Sequence, residues 1–181
     1  AAVRQIHRHA LALGLVLALS ACGGDPEPQF EADPSPAPSE VTTSAPAKEA
    51  WEEKSDDGAI AFVEHWIDEF NAAVRSGDTT ALTELSGASC TTCKNFVTLT
   101  DEIYAAGGRV ESEGWSIRSL SEPKESGSGT LVSANFEQPK ERIWRSEGSK
   151  PEDYPGGPID YVLTLEWQAG SWQMSAMDVL Q

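Results

Sequence analysis

A chain of 181 residues has room for one ordinary domain, and this one is strongly acidic, with 13 Lys+Arg against 29 Asp+Glu. The first 21 residues hold Arg4 and Arg8 and no acid, so 11 bases face all 29 acids over the rest of the chain. A surface that negative repels nucleic-acid phosphates and anionic lipid headgroups, which argues against nucleic acid as a partner and against polybasic attachment to a membrane.

The amino end is basic, with Arg4, His7, Arg8 and His9, and is followed by the apolar run ALALGLVLAL at 10–19. Ten apolar residues are too few to span a bilayer as a helix, which takes about twenty. A basic start, a short apolar run and small residues at its end describe a secretory signal over residues 1–21. Its last positions, Leu19-Ser20-Ala21-Cys22, resemble the bacterial lipobox, a leucine and two small residues before a cysteine. In that family the thiol receives a diacylglycerol and the signal is cut just before the cysteine. The resemblance makes Cys22 the lipidation site and places the chain on the outer face of the bacterial cytoplasmic membrane, with the membrane itself as a partner. The alternative, a plain secretory signal followed by an incidental cysteine, would leave a free thiol in an oxidising compartment.

Residues 23–57 hold six of the eleven prolines, with Ser, Thr, Ala and ten acids against two lysines. This composition reads as a disordered linker. As a flexible coil it would average roughly 30–35 Å end to end, longer where proline and charge stiffen it. Two acyl chains give durable anchoring, and such a spacer holds a folded part off the bilayer. The expected organisation is therefore a signal at 1–21, a lipidated Cys22 with its linker to residue 57, and one domain over 58–181.

From Gly58 the pattern changes. Ala59, Phe62, Val63, Trp66, Ile67, Phe70 and Val74 recur at three and four, one apolar stripe on a helix. Asp57 is the expected N-cap and Gly77 the expected stop. A second, short helix is expected after Asp78, with Ala81, Leu82 and Leu85 as its apolar face. A third opens near Cys90, has Phe96, Val97, Thr100, Ile103 and Tyr104 on its inner side, and breaks at Gly107-Gly108. The period then changes to two. Strands are expected at 114–120, at 130–138, at 141–145 as a short edge, and along Ile159, Tyr161, Leu163, Leu165 and Trp167. The last of these turns through Ala169-Gly170-Ser171 into Trp172, Met174 and Ala176, a hairpin. Residues 146–158, rich in Ser, Gly and Pro, are expected to be a loop.

Helices first and strands after argue an α+β domain, three N-terminal helices on an antiparallel sheet of four to five strands. The order and lengths, and the closing LTLEWQAGSWQMSAMDV, resemble the cone-shaped fold of nuclear transport factor two, scytalone dehydratase and ketosteroid isomerase, over roughly residues 58–181. That resemblance implies a strongly curved sheet. A narrower likeness rests on the lipobox, the Pro-rich linker, GAIAFVEHWIDEFNAAVRSGDTTALTELS, CTTC, YAAGG and GW. Together these resemble a family of actinobacterial lipoproteins of unknown function. It implies an envelope location and the paired cysteines, and it carries over neither an activity nor a catalytic residue.

Cys90-Thr91-Thr92-Cys93 has three readings. A structural disulfide suits the compartment, and residues three apart on a helical turn have Cα atoms about 5–6 Å apart, within disulfide range. A redox couple gains from a helix start, but the motif follows two helices rather than standing in a βαβ unit. A metal site lacks ligands, since one CxxC supplies two where zinc takes four. No cofactor is expected.

His65 is the one histidine beyond the signal and falls near the polar side of the first helix. There is no G-x-S-x-G elbow and no Gly-rich phosphate loop. Asp160 and Glu166 lie on the face opposite Tyr161 and Leu163, where they are expected to be solvated. Tyr104, Trp115, Trp144 and Trp167 are either core or the lining of an aromatic mouth for a small apolar or sugar-like ligand. The first functional expectation is a lipid-anchored binding module for such a ligand or for an envelope protein. The second is a cone-fold enzyme doing acid–base chemistry, which needs His65 and an Asp or Tyr in one cavity. The third is a thiol redox protein, which needs accessible cysteines.

Overall fold

The apolar stripe that opens the domain forms α1, Asp56–Ser76, in the computed structural model, which describes residues 48–180. Its seam of Ala59, Phe62, Val63, Trp66, Ile67, Phe70 and Ala73 is buried along the helix. The cap comes earlier than expected. The Ser55 hydroxyl, rather than Asp57, accepts the Gly58 N–H at 3.0 Å. Asp56 and Asp57 stand instead in the first turn, where carboxylates favour the helix dipole. Gly77 ends the helix with φ of 80°, a left-handed position suited to glycine.

Ordered structure begins ahead of Gly58. A 3-10 turn, Ala50–Glu52, precedes α1. Trp51 stacks on His65 with ring centroids 4.3 Å apart, and the Trp172 indole N–H donates to the Glu53 carbonyl at 2.8 Å. The segment read as the last part of a linker ending at residue 57 is therefore strapped to the domain by two tryptophans. The linker composition hides this, because Trp51 is the one apolar anchor among charged residues.

The second helix is α2, Thr80–Leu85, where the Asp78 carboxylate accepts the Thr80 N–H at 3.1 Å. Leu82 is its one buried side chain; Ala81 lies exposed. The third is α3, Thr91–Ala105, with Cys93, Thr100 and Ile103 buried. The Trp66 indole N–H donates to Ser86 at 3.2 Å, and the Gly87 N–H to the Met174 carbonyl at 2.9 Å. These bonds fasten the α2–α3 connection to the domain.

Eight strands follow: β1 (Arg109–Glu111), β2 (Ser116–Leu120), β3 (Lys124–Ser126), β4 (Gly129–Gln138), β5 (Glu141–Trp144), β6 (Glu152–Tyr154), β7 (Gly157–Gln168) and β8 (Ser171–Val179). They form two antiparallel sheets instead of one of four or five strands. The larger runs β2-β4-β7-β8, with β3 also on β4; the smaller runs β1-β5-β6. The residues 146–158 read as a loop contain β6 and the start of β7. Strands β1, β3 and β6 are three residues each, too short to show a period. The β7–β8 hairpin is as expected: Gln168 pairs with Ser171 across Ala169-Gly170, both at positive φ, and Trp167 pairs with Trp172. Val132, Ala134 and Phe136 of β4, with Tyr161, Leu163 and Leu165 of β7 and Met174 and Met177 of β8, share one buried cluster with the α1 stripe. The described residues thus form an α+β domain of three α-helices and two antiparallel sheets.

Candidate functional site

The smaller sheet, the C-terminal half of α1 and one face of α3 enclose a narrow apolar slot. Phe70 and Val74 come from α1, four residues apart. Phe96, Leu99, Thr100 and Ile103 come from α3 at three- and four-residue spacing, so they line one helix face. Val110 of β1 pairs with Ile143 of β5, and both point inward. Trp115, between β1 and β2, forms part of the wall. The slot has a volume of about 90 Å³.

Glu141 sits where this slot meets the surface. Strand alternation puts it on the face of Ile143, two residues on. The Ser112 hydroxyl donates to its carboxylate at 3.0 Å. Burial pushes the Glu141 carboxyl above the usual glutamate range, against the hydrogen bonds from Ser112 and the Trp115 indole. The same side chain is a wall of an open depression of about 530 Å³, shared with Glu111, Lys140, Arg142, Asp153, Tyr154 and Pro155. One carboxylate thus stands between an apolar slot and a charged vestibule. In the sequence, Glu141 is one charge in the short run ERIWR, which reads as a short edge strand. The available signal was its two-residue spacing from Ile143.

The four aromatics considered as one lining are dispersed. Trp115 alone reaches the slot, at the centre of a cluster with Phe70, Phe96, Phe136 and Tyr161 at centroid distances of 5.1, 5.7, 6.0 and 6.2 Å. Tyr104 has its ring under Gly77 and its hydroxyl on the Val74 and Arg75 carbonyls, at 2.7 and 2.8 Å. Trp144 lies on the outer face of β5, with the Arg109 guanidinium 3.5 Å above its ring. Trp167 packs on Trp172 at the hairpin end, 5.2 Å between centroids. Alternation explains the split of β5: Glu141 and Ile143 point in, Arg142 and Trp144 out.

His65 is half-buried under Trp51 and is not among the residues lining the slot. Asp160 is exposed and accepts from Asn135 Nδ2 at 2.7 Å; Glu166 accepts from Gln168. Cys90 and Cys93 form a disulfide with Cα atoms 5.3 Å apart, both fully buried. Cys90 also caps α3, its sulfur accepting the Cys93 N–H at 3.2 Å. Cys22 and the signal lie outside the described residues. Among the described residues no three His, Cys, Asp or Glu side chains are grouped to hold a metal, and no helix is long and apolar enough to cross a membrane.

Fold and site together define an α+β domain with an apolar slot entering its core beside a half-buried carboxylate. The chain belongs to the Family of unknown function (DUF6318), whose model matches residues 39–178. No curated protein matches it. Among solved structures it is similar to the intermembrane space region of the chloroplast protein ARC6, at 16% identity over 71% of this chain and 98% of that one, with a TM-score of 0.49. It is also similar to Aln2 from a Streptomyces species, at 11% identity over 68% and 90% with a TM-score of 0.42. A protein of the NTF2-like family from Streptomyces avermitilis is similar at 10% identity over 68% and 96%, with a TM-score of 0.37.

Proposed function

We propose that this domain is a binding module for a small ligand, carried outside the cytoplasmic membrane on a lipidated Cys22 and an acidic, Pro-rich tether. The three helices and two sheets are read as a cone, with the slot beside Glu141 as its mouth. One observation supports binding over catalysis: of the residues lining the enclosed slot, Glu141 is the one with an ionisable side chain. General acid–base work on a small substrate usually needs a proton donor and an acceptor placed together, and His65 is held elsewhere by Trp51. The raised Glu141 carboxyl is the observation on the side of an acid–base enzyme. A redox role loses ground because both cysteines of the disulfide are fully buried.

The test is intact native mass spectrometry of the protein extracted from its own membrane. A diacylglyceryl mass on Cys22 and a co-travelling small molecule that survives incubation unchanged are expected. Conversion of that molecule into a product would replace the binding reading by the enzyme one. Absence of any lipid mass would overturn the anchoring.

A further inference from the structure

Resting on the binding-module reading, we infer that the slot's ligand is a primary amine bearing a short alkyl group, the alkyl part in the slot and the ammonium on Glu141.

Three observations converge on that class. The first is the wall of the slot, which is aliphatic and aromatic apart from Thr100 and Glu141. An apolar group entering it gains by leaving water. The second is size. About 90 Å³ is well under the roughly 150 Å³ of an apolar cavity that takes benzene. It suits a short alkyl group better than an aromatic ring.

The third is the state of the carboxylate. Glu141 is half-buried and, among the described residues, is in no ion pair. Two nearby cations are committed to other groups, Arg142 to Asp153 at 2.9 Å and Arg109 to Glu111 and the Trp144 ring, while Lys140 is exposed and makes no ion pair with Glu141. Ser112 supplies a donor at 3.0 Å, but an ionised carboxylate has about four acceptor positions. A half-desolvated carboxylate short of a cation selects a ligand that brings one. An anionic ligand would be repelled at the same spot. The open depression beyond Glu141 carries both signs of charge on Glu111, Lys140, Arg142 and Asp153, and gives the polar remainder of the molecule a place outside the slot.

The experiment is a titration of the full chain, disulfide closed, followed by two-dimensional NMR of the Trp115 indole and the Val110 and Ile143 methyl groups. The probes are isobutylamine, isobutanol, isobutyrate and benzylamine. Isobutylamine is expected to shift those signals saturably, isobutanol to bind at least tenfold more weakly, and isobutyrate and benzylamine not to bind. Glu141→Gln, close to isosteric, is expected to weaken isobutylamine at least tenfold and leave isobutanol unchanged. Equal binding of amine and alcohol by the native chain overturns the amine assignment and keeps the slot as a binding site, with no variant needed. If none of the four probes moves the slot signals, the slot reading itself fails.

Discussion

Asn71 holds both backbone groups of Trp115: its Nδ2 donates to the Trp115 carbonyl at 2.9 Å, and its Oδ1 accepts the Trp115 N–H at 2.7 Å. This side chain splices α1 to the connection between the two sheets and sets the tryptophan that walls the slot. Gly114 makes the approach possible, since a Cβ there would lie 2.9 Å from the Asn71 side chain and its φ is 92°. Asn71→Ala strands two partly buried backbone groups, each costing about 1–3 kcal/mol. A loss of about 2–6 kcal/mol is expected in urea unfolding. A change below about 0.5 kcal/mol would put the splice on the level of an ordinary surface contact.

The strap ahead of α1 makes a second prediction. A chain begun at Gly58 loses the Ser55 cap and first turn of α1 together with the Trp51–His65 stack, and leaves the Trp172 indole N–H, on a side chain only 4% exposed, without the Glu53 carbonyl. An aromatic pair contributes about 0.5–1.5 kcal/mol, and a buried orphan donor costs about 1–3 kcal/mol. Thermal melting should place this chain several degrees below one begun at Lys48. Coincident melts would mean that the domain does begin at Gly58, as composition alone suggests.

How far the sequence could be read follows from which forces set each element. Phe62, Val63, Trp66, Ile67 and Phe70 announce α1 because one helix face packs along its whole length, so the period is written into the chain. The β7–β8 hairpin is legible for the same reason at period two, with Ala169-Gly170 to mark the turn. Arg109–Glu111 and Glu152–Tyr154 are strands because they flank β5, a tertiary circumstance that three residues cannot encode. Glu141 is hidden likewise: apart from Ile143 on its own strand, the slot it opens on is completed by Val110 of β1 and by residues of α1 and α3, brought to it only by the fold. The aromatic residues misled in the opposite direction. Trp115, Trp144 and Trp167 have similar chemistry, and side-chain identity says nothing about which face of a sheet each one takes.

Gly77 and Tyr104 form a close pair that reports on how α1 meets α3. A Cβ on residue 77 would fall 2.4 Å from the Tyr104 ring, on a backbone with φ of 80°. Gly77→Ala therefore combines left-handed strain, about 1–2 kcal/mol, with a steric clash. Tyr104→Phe removes only the hydroxyl that binds the Val74 and Arg75 carbonyls, a net loss of about 1 kcal/mol. Glycine substitution should be the more damaging of the two by calorimetry. The reverse order would show that the ring moves aside at little cost.

The Cys90–Cys93 bond is expected to resist reduction in the folded protein because both cysteines are fully buried. Native incubation with dithiothreitol followed by alkylation should label neither thiol, whereas the unfolded chain should be labelled at both. Replacing both cysteines by serine should cost about 2 kcal/mol on the loop-entropy estimate for so small a ring. Rapid native labelling would return the redox reading to contention.

The Glu141 carboxyl gives the domain a pH signature whose sign can be worked out. Its proton is held more tightly in the folded chain than at the ordinary value of 4.5, first because burial disfavours the charge. The folded state then binds more protons than the unfolded one across that window. This contribution to stability is full below the unfolded value and is lost as pH rises through the raised folded value. Asp78 and Glu152 behave oppositely. Hydrogen bonds from Thr80 and from Arg145 lower them, so what they contribute is lost as pH falls. The total curve mixes both signs, and the difference between native protein and Glu141→Gln isolates one. Urea midpoints measured over a pH series should show the native advantage shrinking as pH rises through the window; parallel curves would sink the assignment. Binding should run the other way, since a protonated carboxyl holds no ammonium. Isobutylamine affinity is expected to weaken as pH falls through the raised Glu141 value. One side chain thus favours the empty folded domain at low pH and the occupied slot at high pH.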